Sequence, residues 1–448
     1  MKEFNIVVIG GGPAGFATAM SARKTYPDTT IALIRKEETA LIPCGIPYTM
    51  NRLEKVDDDI LPDAPLEAAG IEIIIDTVVD RNGRRLRCAG GEEIRFERLV
   101  VATGSIPMLP PIRGLDKGGV FTVIKEISAL RTLKQAAEQA NDIVVIGGGY
   151  VGVEFADELL AKGKRVTIID RLDHLLPQAL DAEFSAFIEA AITDRGGELR
   201  LGTSVTDIEG GDHVEAVLLD NGQRLHCDLV IMAVGFKPNH SIGAKLGIEV
   251  SPGHGIKVDE YMRTSSPGIF AVGDCAEQHN CYTGENWPIM LASTAMAQGR
   301  LAGSNLYSIK VVKTFQGVLG TFSSKIGGTA VGVSGLTEAQ AQRMGLDYVV
   351  GRARVPDRHP GTLDDASTIE IKLLFSRFCH TLLGGQIKGG DSVGEMANIL
   401  AVMIQNEMTD MEIDTLQIGT HPLLTSSPVV YPIISATVDA ISNWFGND

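Results

Sequence analysis

The sequence predicts an α/β protein in which two similar βαβ units, one inserted in the other, precede a C-terminal α+β domain. A glycine-rich loop follows an apolar strand near the N-terminus, and a second such loop follows an apolar strand that ends at residue 146. Beyond about residue 310 this motif does not recur, and strand-like runs precede a long helical stretch. The chain of 448 residues is long enough for two or three domains.

The first unit opens with an apolar strand at residues 6–9 and the loop Gly10-Gly11-Gly12-Pro13-Ala14-Gly15. A helix follows, and then a second strand at residues 31–34. In such a loop the first glycine permits a tight turn, the second lets the backbone approach a pyrophosphate, and the third allows close helix–strand packing. The phosphates would meet the N–H groups and the positive end of the helix.

The second unit repeats this pattern. A strand at residues 142–146 enters Gly147-Gly148-Gly149-Tyr150-Val151-Gly152-Val153-Glu154, and a helix, a strand at 165–169 and Asp170 follow. One glycine loop is weak evidence because glycine-rich turns are common, but two loops in the same strand–loop–helix context are strong evidence. We therefore predict two Rossmann-like dinucleotide-binding domains, which imply two dinucleotides, most economically FAD and a nicotinamide nucleotide.

Turn residues and apolar runs place the remaining elements. Residues 57–69 predict a loop and a short helix, 71–75 a strand, 78–94 antiparallel strands, and 99–102 a strand. Residues 214–229 predict an antiparallel insertion, 269–272 a strand, and 290–305 and 392–408 helices. The predicted domains are an FAD-binding domain at 1–112 and 241–309, an NAD(P)H-binding domain at 113–240, and an α+β domain at 310–448.

The net charge of −16 argues against nucleic acid or an anionic membrane as the main partner. The first strand begins within a few residues of Met1, which leaves no room for a signal peptide, and no apolar run reaches transmembrane length. These features predict a soluble, cytoplasmic protein. The six cysteines show no CxxC spacing, so neither a disulfide framework nor a metal site is expected.

Cys44 stands in Pro43-Cys44-Gly45-Ile46-Pro47-Tyr48, shortly after the second strand of the first unit. A cysteine in this place would lie near a bound dinucleotide, which suggests a redox thiol that works with a cofactor. The segment predicts a helix start, and a helix N-terminus lowers a thiol pKa. The alternative is a buried structural cysteine, and we interpret the other five cysteines as structural.

Together these motifs resemble the FAD-dependent pyridine nucleotide-disulfide oxidoreductases. The closer resemblance is to the single-cysteine branch of CoA-disulfide reductases, NADH oxidases, NADH peroxidases and persulfide reductases, and it covers the whole chain. It implies that residues from about 310 onward form a dimer interface, and hence a homodimer. The FAD contacts that it implies are Gly10, Gly12, Pro13, Ala14, Gly15, Arg35, Val78, Thr103, Gly104 and Asp274. The NAD(P)H contacts that it implies are Gly147, Gly149, Tyr150, Val151, Gly152, Glu154, Asp170, Arg171 and Gly235.

The chain also departs from the family pattern. Arg35 stands where an acidic residue usually binds the adenosine ribose, and Pro13 stands where peroxidases and water-forming oxidases often carry a histidine. His421-Pro422 matches a motif of the two-cysteine reductases, but Ser426 replaces the glutamate that would follow. Pro13 therefore favours sulfur acceptors over peroxide.

Several residues have two interpretations. Asp170 would bond the ribose 2′-hydroxyl of NADH and repel the phosphate of NADPH, although Arg171 beside it weakens that preference. His421 is either a partner-subunit acid/base near Cys44 or a structural histidine, and Tyr431 is either a hydrogen-bond donor to substrate or a core residue. The cluster Arg352, Arg354 and Arg358 either meets the phosphates of a CoA-like substrate or forms salt bridges.

The resulting prediction is an enzyme in which electrons pass from NADH through FAD to Cys44 and on to a small disulfide, persulfide or polysulfide. With one cysteine, the oxidised form must be a mixed disulfide, a persulfide or a sulfenic acid. The first alternative is an NADH oxidase in which reduced flavin meets oxygen directly. The second, of another class, is a flavin-bound redox sensor or interaction protein.

Overall fold

The structure is a computed structural model, and it describes residues 1–445. In chain order its strands are β1 (Lys2–Ile9), β2 (Ile31–Arg35), β3 (Ala40–Leu41), β4 (Ile60–Leu61), β5 (Glu72–Ile75), β6 (Val78–Asn82), β7 (Arg85–Cys88), β8 (Glu93–Val101), β9 (Ser105–Pro107), β10 (Val120–Thr122), β11 (Asp142–Ile146), β12 (Arg165–Ile169), β13 (Glu198–Arg200), β14 (Val205–Glu209), β15 (Ala216–Leu219), β16 (Arg224–His226), β17 (Leu229–Met232), β18 (Phe236–Pro238), β19 (Val250–Ser251), β20 (Gly255–Ile256), β21 (Ile269–Ala271), β22 (Phe322–Ile326), β23 (Thr329–Gly335), β24 (Tyr348–Pro356), β25 (Thr368–Ser376) and β26 (Leu382–Gly389).

The helices are α1 (Pro13–Thr25), α2 (Ala64–Ala68), α3 (Ile127–Gln139), α4 (Tyr150–Ala161), α5 (Ala182–Thr193), α6 (Ser241–Lys245), α7 (Ala292–Ser304), α8 (Glu338–Arg343), α9 (Val393–Gln405), α10 (Asp410–Asp414) and α11 (Pro432–Phe445). Short 3-10 helices span Ile46–Met50, Val56–Asp59, Gly273–Cys275 and Pro428–Val430. Within residues 1–445, no helix combines the length and the apolar character that crossing a bilayer requires.

The chain divides into two compact units, and the first comprises Met1–Pro111, Phe121–Gln139 and Val234–Val318. Its main sheet has the order β5-β2-β1-β8-β7-β6, and β21 also pairs with β8. Strands β5, β2, β1, β8 and β21 run parallel, so their carboxyl ends meet at one edge. That edge therefore gathers the first glycine loop, Thr103-Gly104 and Gly273-Asp274, where ligands of open α/β sheets bind.

Helices α1 and α7 pack closely in this unit. A Cβ atom at Gly299 would stand 2.6 Å from the carbonyl oxygen of Ala14, and one at Gly303 would stand 2.5 Å from that of Thr18. Both positions therefore require glycine, which explains the small-residue composition of α7. This packing fixes α1, whose N-terminus carries the first glycine loop.

The second unit comprises Ile112–Val120, Ala140–Ala233 and the chain from Leu319 onward. It contains a five-stranded sheet of order β10-β17-β11-β12-β13, in which β17, β11, β12 and β13 are parallel. A three-stranded antiparallel sheet, β14-β15-β16, precedes β17. The C-terminal part forms an antiparallel sheet of order β22-β23-β26-β25-β24, and α9 and α11 pack against it.

A buried charge cluster stabilises this second unit. The Lys372 ammonium, 1% exposed, contacts the carboxylates of Asp181 at 2.5 Å, Glu183 at 2.6 Å and Glu338 at 3.1 Å. The three acids could otherwise have formed a cation site. Lys372 supplies a positive charge to all three.

The structure corrects two predicted elements. Residues 99–102 are not a separate strand, because β8 runs without a break from Glu93. The antiparallel insertion begins earlier than predicted, at Val205, and Leu229 starts the parallel strand β17. The helix predicted to start near Cys44 is a five-residue 3-10 helix, Ile46–Met50. The finer domain boundaries given above stay predictions.

Candidate active site

The first glycine loop has no room for a side chain at Gly10 or Gly15, but it has room at Gly12. A Cβ at Gly10, where φ is +115°, would collide with the carbonyl oxygen of Ala102, and one at Gly15 would collide with that of Gly10. At Gly12, by contrast, no described atom lies within 4 Å of the Cβ position. Gly12 is also the N-cap of α1, and Pro13 is the first helical residue. This leaves room for a pyrophosphate beside the helix N-terminus.

The second loop repeats this geometry. A Cβ at Gly152 would collide with the carbonyl oxygen of Gly147, whose φ is +112°, whereas the Cβ position of Gly149 is open to 4 Å among the described atoms. Gly149 is exposed and is the N-cap of α4, which starts with Tyr150 and Val151. Both loops therefore fit the dinucleotides that the sequence predicts.

Asp170 is tied into this second loop. Its Oδ2 accepts a hydrogen bond from the backbone N–H of Gly148 at 2.5 Å, and its Oδ1 accepts one from Leu172 at 2.8 Å. These bonds hold the carboxylate at the end of β12, and each oxygen keeps a lone pair for a ribose hydroxyl. Arg171 is exposed beside it.

Arg35 is buried and its guanidinium is already engaged. It forms two hydrogen bonds of 2.6 Å with the carboxylate of Asp63, and it also donates to the carbonyl oxygens of Glu37 and Glu38. Its aliphatic stem lies against Gly11, where a Cβ would stand 2.6 Å from Cδ. The cofactor contact of Arg35 stays a prediction, and this geometry favours a structural role.

Asp274 has two neighbours that the sequence did not predict. Its Oδ2 accepts a hydrogen bond of 2.7 Å from Ser105 Oγ and lies 3.5 Å from Lys125 Nζ. Lys125 also donates to Ser105, at 3.0 Å. No local motif could have found Lys125, because 149 residues separate it from Asp274. The triad places one carboxylate and one ammonium at the carboxyl edge of the sheet.

The other predicted flavin contacts lie in the first unit. Thr103 Oγ1 donates a hydrogen bond of 2.8 Å to the carbonyl oxygen of Asn239, and the N–H of Asn239 donates to the carbonyl oxygen of Gly104. Val78 is buried in the core of this unit. Gly235, predicted as a nicotinamide contact, also belongs to the first unit rather than to the second.

Cys44 presents an exposed side chain at a turn closed by a hydrogen bond from Gly45 N–H to the Ile42 carbonyl oxygen. All six cysteines lie within residues 1–445 and are thiols. Cys88, Cys227 and Cys275 are buried, and burial raises the pKa of the first two to about 11 and about 12. Cys44 is thus the exposed thiol of the described first unit.

Cys379, in the second unit, departs from the structural role expected of it. It is exposed, and hydrogen bonds with the hydroxyls of Ser376 and Thr381 lower its thiol pKa. Its Sγ lies 3.1 Å from Thr381 Oγ1. Cys379 therefore provides a natural control for the reactivity of Cys44.

Glu154 is a half-buried residue with a carboxyl group on α4. Ser324 Oγ donates a hydrogen bond of 2.7 Å to its Oε1. Burial raises the pKa of Glu154 to about 7, the Ser324 hydrogen bond opposes this rise, and the nearby Glu158 adds to it. Glu154 therefore changes its protonation near neutral pH.

The C-terminal candidates lie in the second unit. His421 is exposed, and its Nδ1 accepts a hydrogen bond of 3.2 Å from Leu423 N–H, which assigns the ring proton of a neutral imidazole to Nε2. Ser426, at the expected glutamate position, is buried and donates to the Pro356 carbonyl oxygen, so it does not orient His421. Tyr431 is 8% exposed and burial raises its pKa, which favours the packing interpretation.

The arginine cluster is paired with acids. Arg352 contacts Glu183 at 3.0 Å, Arg354 contacts Glu370 at 3.6 Å, and Arg358 contacts Asp365 at 3.3 Å. These pairs agree with the salt-bridge interpretation rather than with phosphate binding.

Comparisons with known proteins agree with this geometry. Residues 4–299 match the family described as pyridine nucleotide-disulphide oxidoreductase, and residues 323–430 match its dimerisation domain. An NADH oxidase of Methanocaldococcus jannaschii is 33% identical over 97% of this chain and 98% of that protein. An NAD(P)H sulfur oxidoreductase (CoA-dependent) of Pyrococcus abyssi is 32% identical over 90% of this chain and 91% of that protein.

Among solved structures, an NAD-dependent persulfide reductase from A. fulgidus superimposes with a TM-score of 0.90 at 29% identity. The alignment covers 98% of this chain and 83% of that one. The predicted fold class and enzyme class are therefore confirmed. The chain belongs to the pyridine nucleotide-disulphide oxidoreductases, a family of enzymes that use FAD and NAD(P)H.

Proposed function

We propose that this enzyme uses NADH to reduce a small disulfide, persulfide or polysulfide through Cys44. The observation that carries the proposal is that Cys44 is the exposed thiol of the described first unit, at a turn that leads into a 3-10 helix. Bound FAD would supply the hydride acceptor that links the two-electron donor to the thiol. For a disulfide, one NADH and one proton give NAD⁺ and two thiols.

The chain's own residues fall into three roles. The open backbone at Gly12 and Gly149 would bind the two pyrophosphates. Asp274, held by Ser105 and Lys125, would orient the ribityl chain, and Asp170 would select the ribose of NADH. Cys44 would attack the sulfur acceptor as a thiolate. Arg35, Val78, Tyr150, Glu154, His421 and Tyr431 stay predicted site residues.

An NADH oxidase is the second candidate function, and the M. jannaschii relative favours it. In that case the electron pair reaches oxygen, and Cys44 either cycles through a sulfenic acid or takes no part. A homodimer built through residues from about 310 onward, a CoA-linked substrate and a cytoplasmic location complete the proposal. The matched dimerisation domain supports the homodimer.

Substitution of the two exposed cysteines separates these functions. The purified protein should first release about one FAD per chain on denaturation. Cys44→Ser should then abolish turnover with CoA disulfide, persulfide and polysulfide, because no thiolate remains to attack sulfur. Bleaching of the flavin by NADH, followed by stopped flow, should survive. Cys379→Ser, which also removes an exposed thiol, should leave every rate unchanged.

Two outcomes would contradict the proposal. If Cys44→Ser keeps full turnover with sulfur acceptors, Cys44 is not the reacting thiol. If the unaltered enzyme reduces no sulfur compound but consumes oxygen rapidly, the oxidase function replaces the reductase function. A colourless protein that cannot be reconstituted with FAD would remove both.

A further inference from the structure

A buried carboxyl group lies directly behind the Cys44 turn. Asp59 is 2% exposed, and its backbone oxygen accepts a hydrogen bond of 2.9 Å from Ile42 N–H. Its side chain packs on Gly45, where a Cβ would collide with Oδ1 and would stand 2.8 Å from Cγ. The carboxyl group of Asp59 therefore occupies the space next to the residue that follows Cys44.

The environment of this carboxyl group disfavours a negative charge. Among residues 1–445, no hydrogen-bond donor reaches its Oδ2, although that atom is buried. A buried carboxylate without a donor or a cation is costly, whereas the protonated acid is tolerated. Burial raises the pKa of Asp59 to about 7. At lower pH the group is a neutral acid, and at higher pH it carries a negative charge against Gly45, the residue that follows Cys44.

The two aspartates before it have exposed side chains with other partners. Asp57 pairs with Arg131 at 2.5 Å, and Asp58 accepts a hydrogen bond of 2.9 Å from Lys55 N–H. Helix α3 packs on both 3-10 helices of this region. The charged groups on this segment and on α3 are Arg52, Glu54, Lys55, Asp57, Asp58, Arg131, Lys134 and Glu138. Burial is the cause that raises the pKa of Asp59.

We propose that Asp59 is a positioning residue for Cys44 that works in its neutral form, filling the space behind Gly45. Loss of its proton to solvent places a negative charge against Gly45, next to Cys44, and disfavours the thiolate. The proposal rests on the proposed function only in taking Cys44 as the reacting thiol. It adds a second titrating group to the pH dependence of that thiol.

Alkylation of Cys44 measures this coupling directly. In the FAD-bound protein, iodoacetamide converts the thiolate to a thioether and releases iodide, and mass spectrometry of the Cys44 peptide gives the rate. Asp59→Asn keeps the shape of the side chain but cannot ionise. Above pH 7.5, while most of the thiol is still protonated, it should react about two- to fivefold faster than the unaltered protein. Loss of the negative charge lowers the thiol pKa by up to about one unit and raises the thiolate fraction, and the weaker nucleophilicity of the lower-pKa thiolate offsets part of this gain.

The comparison has internal controls. Below pH 6 the rates of Asp59→Asn and the unaltered protein should converge, because Asp59 is then protonated and carries no charge, just as the asparagine carries none. Asp57→Asn and Asp58→Asn, which change exposed neighbours of the same type, should follow the unaltered protein at every pH. A rate ratio of one for Asp59→Asn across pH 5–9.5 would overturn the proposal.

A second measurement covers the case in which Asp59→Asn does not fold. The alkylation rate of Cys44 in the unaltered protein should then require two titrating groups, with one inflection near pH 7. A curve that fits a single thiol would overturn the coupling. Because the rate is read on the Cys44 peptide, this result does not depend on any acceptor. Sulfur turnover by Cys44→Ser would instead contradict the proposed function and leave the coupling intact.

Discussion

Replacing Glu154 with glutamine should remove one pH-dependent contribution to the stability of the second unit. Burial holds the pKa of Glu154 at about 7, against an ordinary value of 4.5. The folded chain therefore keeps a proton that the unfolded chain has already lost between these two pH values. The stabilisation is complete below pH 4.5 and is lost as the pH rises through 7.

The size of the effect follows from this shift. A difference of about 2.5 pKa units corresponds to about 3 kcal/mol, because each unit is worth 1.36 kcal/mol. For a unit of roughly 150–250 residues, 1 kcal/mol shifts Tm by about 2–4 °C. The Tm difference between Glu154→Gln and the unaltered protein is therefore at most about 6–12 °C. Ser324→Ala should raise the pH at which Glu154 loses its proton, because the hydroxyl that stabilises the carboxylate is then lost.

Thermal unfolding of the FAD-bound protein between pH 5 and pH 8.5 measures this effect. The Tm of Glu154→Gln minus that of the unaltered protein should rise with pH and level off above pH 7.5. Glu209→Gln, which removes an exposed partner of Arg224, should shift Tm little. A Tm difference for Glu154→Gln that stays constant over the whole range would refute the assignment of this carboxyl group.

Two further substitutions test other parts of the second unit. Asp170→Ala should reduce the preference for NADH over NADPH by roughly 1–2 kcal/mol, because a charge-assisted hydrogen bond to the ribose is lost. This corresponds to a change of about five- to thirtyfold in the ratio of the kcat/KM values for NADH and NADPH. An unchanged ratio would show that Asp170 does not select the nucleotide. Lys372→Met should lower the free energy of unfolding, measured with urea, by about 3–5 kcal/mol, because three clustered carboxylates lose their cation. Lys325→Met, which breaks an exposed pair with Asp391, should lower it by less than about 1 kcal/mol. Equal losses for the two lysine variants would refute that difference.

The sequence predicted the strands and helices of the glycine loops because their signals are local. An apolar run, the loop glycines and the helix that follows lie within about thirty residues, so short-range patterning determines them. The strands at 142–146 and 165–169 coincide with β11 and β12. The strand edge that gathers the first glycine loop with Thr103-Gly104 and Gly273-Asp274 also follows from parallel pairing.

Contacts between distant parts of the chain could not be predicted in the same way. Ser324 contacts Glu154 across 170 residues, and Lys125 contacts Asp274 across 149 residues. Neither pair has a spacing that a single sequence reveals. The partner of Arg35, Asp63, lies 28 residues away in the segment predicted as a polar loop and a short helix. The electrostatics of the site are therefore known only once the fold brings these groups together.

The run Asp57-Asp58-Asp59 shows why the sequence could not identify the buried acid. A 3-10 helix has three residues per turn, so successive side chains point about 120° apart and residues three apart share a face. The 3-10 helix Val56–Asp59 therefore places Asp59 on the face of Val56, and both side chains are 2% exposed. Read as a loop, the same letters give no such register. The burial of Asp59 thus follows from one apolar residue three positions earlier, once the segment is known to be helical.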